Sequence, residues 1–178
     1  MNILYAMLYK EIIKYSVRWW KRIRAVLALE FYLIFSGKKL EEITPNSDIM
    51  KLCIAIESIH SYSLVHDDLP CIDNDTLRRW EPTVWKKYWE YNGVLIWDLL
   101  NSLAFETLSE IKDPRISQKL VKLLSNSVWV YGMLGWQVED LYFEEKTKEL
   151  NLELLKNLHN KKTRALIKAS VIWWFTLS

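Results

Sequence analysis

Apolar residues recur at helical spacing in six stretches of this chain, and no stretch alternates convincingly with the period of two that marks a half-buried strand. Residues 3–17 place Leu4, Met7, Leu8, Ile12 and Tyr15 on one stripe. The next stretch, Ile23 to Ser36, is apolar on almost every side, which predicts a buried helix, and Gly37 is a fitting stop. From Asp48 to Leu69 the apolar positions are Ile49, Leu52, Cys53, Ile56 and Ile59; Ser47 or Asp48 can cap the start and Pro70 helps end it. Glu90 to Leu108 is strongly apolar and stops before the polar run IKDPRISQ. Ile116 to Glu144 contains another long helix with Leu120, Leu123, Leu124, Val128 and Tyr131 on its apolar side. After a short connection opened by Thr147 to Leu150, Leu152 to Ile172 forms the last helix. With no strand cluster and no internal repeat, the pattern predicts an all-α fold.

Composition narrows the class. At 178 residues the chain can bury a real core and is most simply one domain, 1–178. Its 24 basic and 22 acidic residues leave a charge of +2, which argues against a nucleic-acid face. Two cysteines, Cys53 and Cys71, imply neither a disulfide framework nor a zinc site and fit a reducing cytoplasm. Lys10 and Glu11 interrupt the N-terminal apolar residues, so no signal peptide is visible. No apolar run reaches the roughly 18 residues of a membrane span.

The chemistry concentrates between His60 and Tyr88. Four aspartates (Asp67, Asp68, Asp73, Asp75) are followed at once by Arg78 and Arg79. Asp67 and Asp68 fall in the last turn of their helix, where the dipole is negative and each carboxylate costs about 0.3–1 kcal/mol. A cation should compensate, and Mg²⁺ is the natural candidate because it takes carboxylate oxygens and shares its other positions with phosphate. Guanidinium forks match phosphate geometry. On composition alone, a solvated acidic loop with two surface arginines fits as well. Helical spacing also puts His60, Ser63 or Leu64, and Asp67 along one face.

Order and spacing favour the metal reading. DDLPCID followed by LRR resembles the first aspartate-rich motif of the trans-isoprenyl diphosphate synthases, the polyprenyl synthetase family, and the chain is similar to bacterial-type farnesyl and geranylgeranyl diphosphate synthases. WWKRIR at 19–24, WQVEDL at 136–141 and KTRALI at 162–167 resemble further family motifs in the right order. The resemblance implies an antiparallel helical bundle of the isoprenoid synthase type, a homodimer, and a reaction joining an allylic diphosphate to isopentenyl diphosphate. It implies Mg²⁺ on Asp67, Asp68 and Asp73, with Arg78, Lys162 and Thr163 gripping the allylic diphosphate. Lys21, Arg24, His60 and Arg79 would hold isopentenyl diphosphate, and Gln137 and Asp140 would face the site. Tyr62, five residues before Asp67, matches the floor of the product channel, and an aromatic ring there favours a C15 over a C20 product.

The chain departs from the family pattern in two ways. It carries four glycines and ten tryptophans, and eight of those tryptophans (19, 20, 80, 89, 97, 129, 136 and 174) fall where the family usually has glycine. Such consistent pairing points to a message in which UGA means glycine and has been written as tryptophan. Trp85 and Arg164 stand outside that pattern. The chain also reaches Ser178 before a second aspartate-rich motif appears, so an incomplete domain is expected, and the polypeptide as written is expected to turn over negligibly. A non-catalytic helical partner subunit is the alternative. An all-α terpene cyclase is a poorer fit, having no use for Lys21, Arg24 and Arg79.

Overall fold

The computed structural model describes residues 3–18, 21–130, 132–145 and 166–177, with side chains described for 7–18, 21–130, 132–142 and 166–177. The helices are α1 (Ile3–Arg18), α2 (Ile23–Ser36), α3 (Asp48–Asp67), α4 (Val84–Tyr88), α5 (Glu90–Ser109), α6 (Pro114–Val128) and α7 (Met133–Glu145). Residues 166–172 are helical and run into a 3₁₀ turn, Trp173–Thr176. The expected connection at Thr147 to Leu150 and the helix from Leu152 as far as residue 165 lie outside the described residues.

The core forms where α3 meets α5. Ile49, Leu52, Cys53, Ile56 and Ile59 of α3 are all buried, as their spacing predicts, and pack with Ile96, Leu100, Ala104 and Leu108 of α5. α3 also packs against α2 and α1. α2 and α1 cover one flank with Ala28, Tyr32, Ile12 and Tyr15, while Leu120 and Leu124 of α6 close another. α6 starts cleanly because Asp113 accepts a hydrogen bond from the Arg115 N–H at 2.8 Å and Pro114 occupies the first helical position.

Three expectations need correcting. The α1 stripe holds only in its second half: Ile12 and Tyr15 are buried as expected, joined by Ser16, whereas Met7 and Leu8 are exposed. α2 keeps its boundaries, and Gly37 ends it at φ 70, donating its N–H to the Leu33 carbonyl. The helix is not buried all round, however, since Ile23, Val26, Ile34 and Phe35 are at least half exposed. Only one side of a helix meets its neighbours, and composition cannot say how many sides have neighbours. Thirdly, the long helix expected over Ile116 to Glu144 is two helices. The break carries Gly132, where a Cβ would lie 2.1 Å from the Ser127 carbonyl oxygen, so the turn admits only glycine.

One element was not foreseen. Leu77–Arg78 and Glu81–Pro82 pair as a minimal antiparallel ladder around a two-residue turn at Arg79 and Trp80, both at positive φ. Tyr15 of α1 pins it by donating its hydroxyl to the Pro82 carbonyl at 2.6 Å.

Candidate active site

The end of α3 is finished by the loop that follows it. The Asp67 carbonyl accepts the Asp73 N–H at 2.9 Å, and the Leu69 carbonyl accepts from Ile72 and Asn74. Carbonyls that a helix end leaves orphaned are thereby satisfied, and the acidic loop is folded back on the helix tip. Further along, the Asp75 carbonyl accepts the Thr83 hydroxyl and the Trp85 indole N–H, both at 2.8 Å, tying the loop to α4. Trp85 therefore has a structural use of its own.

Asp67 and Asp68 are both buried, with 7% and 4% exposure, yet they face different surroundings. Asp68 meets the Arg78 guanidinium at 2.6 Å from Nε and 2.5 Å from Nη2, while Arg78 also reaches Asp75 at 3.5 Å. Burial still pushes the Asp68 carboxyl up to about 6, against the pull of Arg78 and with help from Asp75 and Asp67. Asp67 lies 3.6 Å from the His66 imidazole and lines an open cavity of about 200 Å³.

That cavity is the candidate site. Its wall is built by Arg24 of α2, by His60, Ser63, Leu64 and Asp67 of α3, by Met133, Trp136 and Gln137 of α7, and by Leu166. The face predicted from helical spacing is thus the face that lines it. Burial drives the His60 pKa down to about 3, reinforced by Arg24, Arg79 and Arg78, so the imidazole is neutral and can donate one N–H. The Arg24 Nε is buried and finds no hydrogen-bond partner among the described residues. An oxygen-rich anion entering here would meet the side chains of Arg24 and a neutral His60 on one wall.

Sequence reasoning missed Glu57. Its carboxylate accepts the Ala25 N–H at 3.0 Å, capping the first turn of α2 from the side of α3, and its charge opposes the burial that lowers the Arg24 pKa. No local signal could reveal this contact, because the partners are thirty-two residues apart.

The structure does not bring every predicted residue to this cavity. Lys21 is exposed at the start of α2. Arg78 and Arg79 line a separate space of about 30 Å³ with Tyr15, Ser16 and Asp68, room for about one water. Tyr62 is buried between α3 and α5, its ring 5.8 Å from that of Trp97. Asp73 is exposed, and among the described residues no group of three His, Cys, Asp or Glu side chains is arranged to hold a metal ion. Lys162 and Thr163 lie outside the described residues.

Comparison with known proteins decides the family. The polyprenyl synthetase family model matches residues 6–178. The chain belongs to the polyprenyl synthetase family. It is 41% identical over 121 residues to the farnesyl diphosphate synthase of Escherichia coli, covering 66% of this chain and 40% of that one. It is 37% identical over 158 residues to a heterodimeric geranylgeranyl pyrophosphate synthase large subunit of Arabidopsis thaliana, covering 85% and 41%. Among solved structures, a Helicobacter pylori geranyltransferase complexed with magnesium and isoprenyl diphosphate superposes with a TM-score of 0.83 at 38% identity, over 94% of this chain and 55% of that one. The chain therefore shares the all-α fold of that geranyltransferase, and spans about two fifths of the length of these two curated relatives.

Proposed function

We propose that the protein is an isoprenyl diphosphate synthase that joins an allylic diphosphate to isopentenyl diphosphate. In that reaction the allylic C–O bond breaks and diphosphate departs, the double bond of isopentenyl diphosphate attacks the allylic carbon, and a proton leaves to restore a double bond. The protein's task is to hold negative charge leaving one partner while keeping water from the cation.

The observation that carries this reading is the cavity that unites Arg24, neutral His60 and Gln137 with Asp67. Arg24 and His60 would hold a diphosphate from the α2 side, and Lys21 and Arg79, which lie outside the cavity wall, would add charge there as in the family pattern. Arg78, with Lys162 and Thr163, would take the allylic diphosphate. Asp67 and Asp68 suit Mg²⁺ in their chemistry: two nearly buried carboxylates are consecutive at the negative end of a helix, and Asp68 is held above the ordinary carboxylate range even beside an arginine. Asp67, Asp68 and Asp73 would hold the ion, which when bound supplies positive charge to the departing diphosphate. Tyr62, filling the space between α3 and α5, favours the C15 product. We further propose that residues 1–178 form one incomplete domain of a cytoplasmic homodimer; no described helix is long and apolar enough to cross a membrane.

The test is titration calorimetry with inorganic diphosphate, with and without Mg²⁺, alongside a prenyl-transfer assay. Mg²⁺-dependent binding that weakens in R24A and H60A is expected; binding indifferent to Mg²⁺ and to both substitutions sinks the proposal. A non-catalytic partner subunit is the competing reading, favoured by the buried Trp136 indole in the cavity wall beside Gln137.

A further inference from the structure

Two tryptophans stand on backbone that side chains resist. Trp89, the joint between α4 and α5, has φ 77 and ψ 152, a region that essentially only glycine enters. Trp80 has φ 71 and follows Arg79 at φ 53, the signs of a mirror-image hairpin turn whose second central position is dominated by glycine. Neither indole offers packing in return, with Trp80 94% exposed and Trp89 73% exposed. The other non-glycine residues at positive φ, Arg22, Asn74 and Arg79, sit at φ 50 to 53, within the left-handed well that side chains do visit.

Composition supplies an independent observation. Four glycines and ten tryptophans occur in 178 residues, whereas ordinary usage of about 7% would give about a dozen glycines. Tryptophan is in excess where glycine is short, and two of the tryptophans occupy glycine backbone. A single codon read two ways accounts for both facts.

We propose that positions 80 and 89 are glycine in the cell, each encoded by UGA that the host reads as glycine and that is written here as tryptophan. The two sites bracket the segment from Arg79 to α5, so they are its joints: one sets the turn beside the arginine pair, the other the angle between α4 and α5. Other tryptophans do not carry this inference by geometry. Trp174 stacks on Phe35 at 4.8 Å and Trp97 lies 4.7 Å from His66, both in ordinary packed surroundings.

The test has two arms. Codons 80 and 89 are read from the host DNA, and the tryptic peptide beginning at residue 80 is weighed in protein taken from the host. TGA at both positions with a peptide lighter by the difference between tryptophan and glycine supports the proposal; TGG at either position overturns it. In the second arm W89G and W89A are compared in the full chain by thermal unfolding. Relief of the backbone should raise the Tm of W89G by about 4 °C or more, while W89A, which keeps its Cβ, gains nothing comparable. A W89G protein no more stable than W89A overturns the claim that this joint is built for glycine.

Discussion

Asp67 and Asp68 are consecutive, almost equally buried and chemically identical, yet the fold treats them in opposite ways. Asp68 is held by Arg78 across the loop, within a cluster that also includes Asp75. Asp67 looks into the cavity shared with Arg24, His60 and Gln137, and among the described residues its close ion-pair geometry is with His66 at 3.6 Å. One carboxylate is met by a guanidinium of the protein itself, and the other faces an open cavity. The pairing of Asp68 with Arg78 also couples two roles: drawing Arg78 towards an incoming diphosphate would release Asp68 for a cation. An anion and a metal ion should therefore bind better together than apart.

Removing the internal partner gives the largest effect. R78A leaves Asp68, whose side chain is 6% exposed, buried without its counter-charge. Breaking a buried pair from one side costs about 3–5 kcal/mol, and the low end applies because Arg78 is partly exposed. Urea unfolding at neutral pH should show R78A about 3 kcal/mol less stable, with D68N in the same chain recovering most of the loss. A loss below about 1 kcal/mol in R78A would mean that the fold does not depend on neutralising Asp68.

At Asp67 the pattern should invert. D67N removes a carboxylate with little structural employment, so stability should hardly change. Affinity for inorganic diphosphate in the presence of Mg²⁺ should fall about tenfold or more, equivalent to about 1.4 kcal/mol. If calorimetry shows D67N binding normally while stability collapses, the division of labour between the two aspartates is the reverse of the one described.

How legible these features were depended on the range of the interactions that set them. The ends of α1, α2 and α5 and the buried positions of α3 follow from local periodicity and from breakers such as Gly37. Along α3, spacing alone put His60, Ser63 or Leu64, and Asp67 on one face, and the cavity bears that out. What spacing could not show was the partner across the gap. Nothing local says that Glu57 caps α2, or that Arg78 turns inward to Asp68. Periodicity also carried one helix through Gly132, because a single glycine between two apolar stretches of similar phase does not interrupt the pattern. The ladder at 77–82 was hidden for a different reason. Its turn reads Arg-Trp, which has none of the Asn-Gly or Asp-Gly signature by which hairpins are recognised.

The smallest effect concerns the cation side of the same cavity. His60 is neutral in the fold because burial and the charges of Arg24, Arg79 and Arg78 hold its pKa near 3, with Asp67 the acidic group on the shared wall. In the unfolded chain it titrates near the ordinary 6.5. Below that pH the unfolded state takes up a proton that the folded state refuses, so stability is full above about 6.5 and drains away as the pH falls. Between pH 6.5 and about 5.5 the loss from this one residue should be about 1 kcal/mol. H60Q, which cannot titrate, should flatten that part of the stability profile by the same amount. An identical slope in H60Q would show that His60 titrates in the fold as it does in the unfolded chain, and the cavity wall would then gain a second cation as the pH falls.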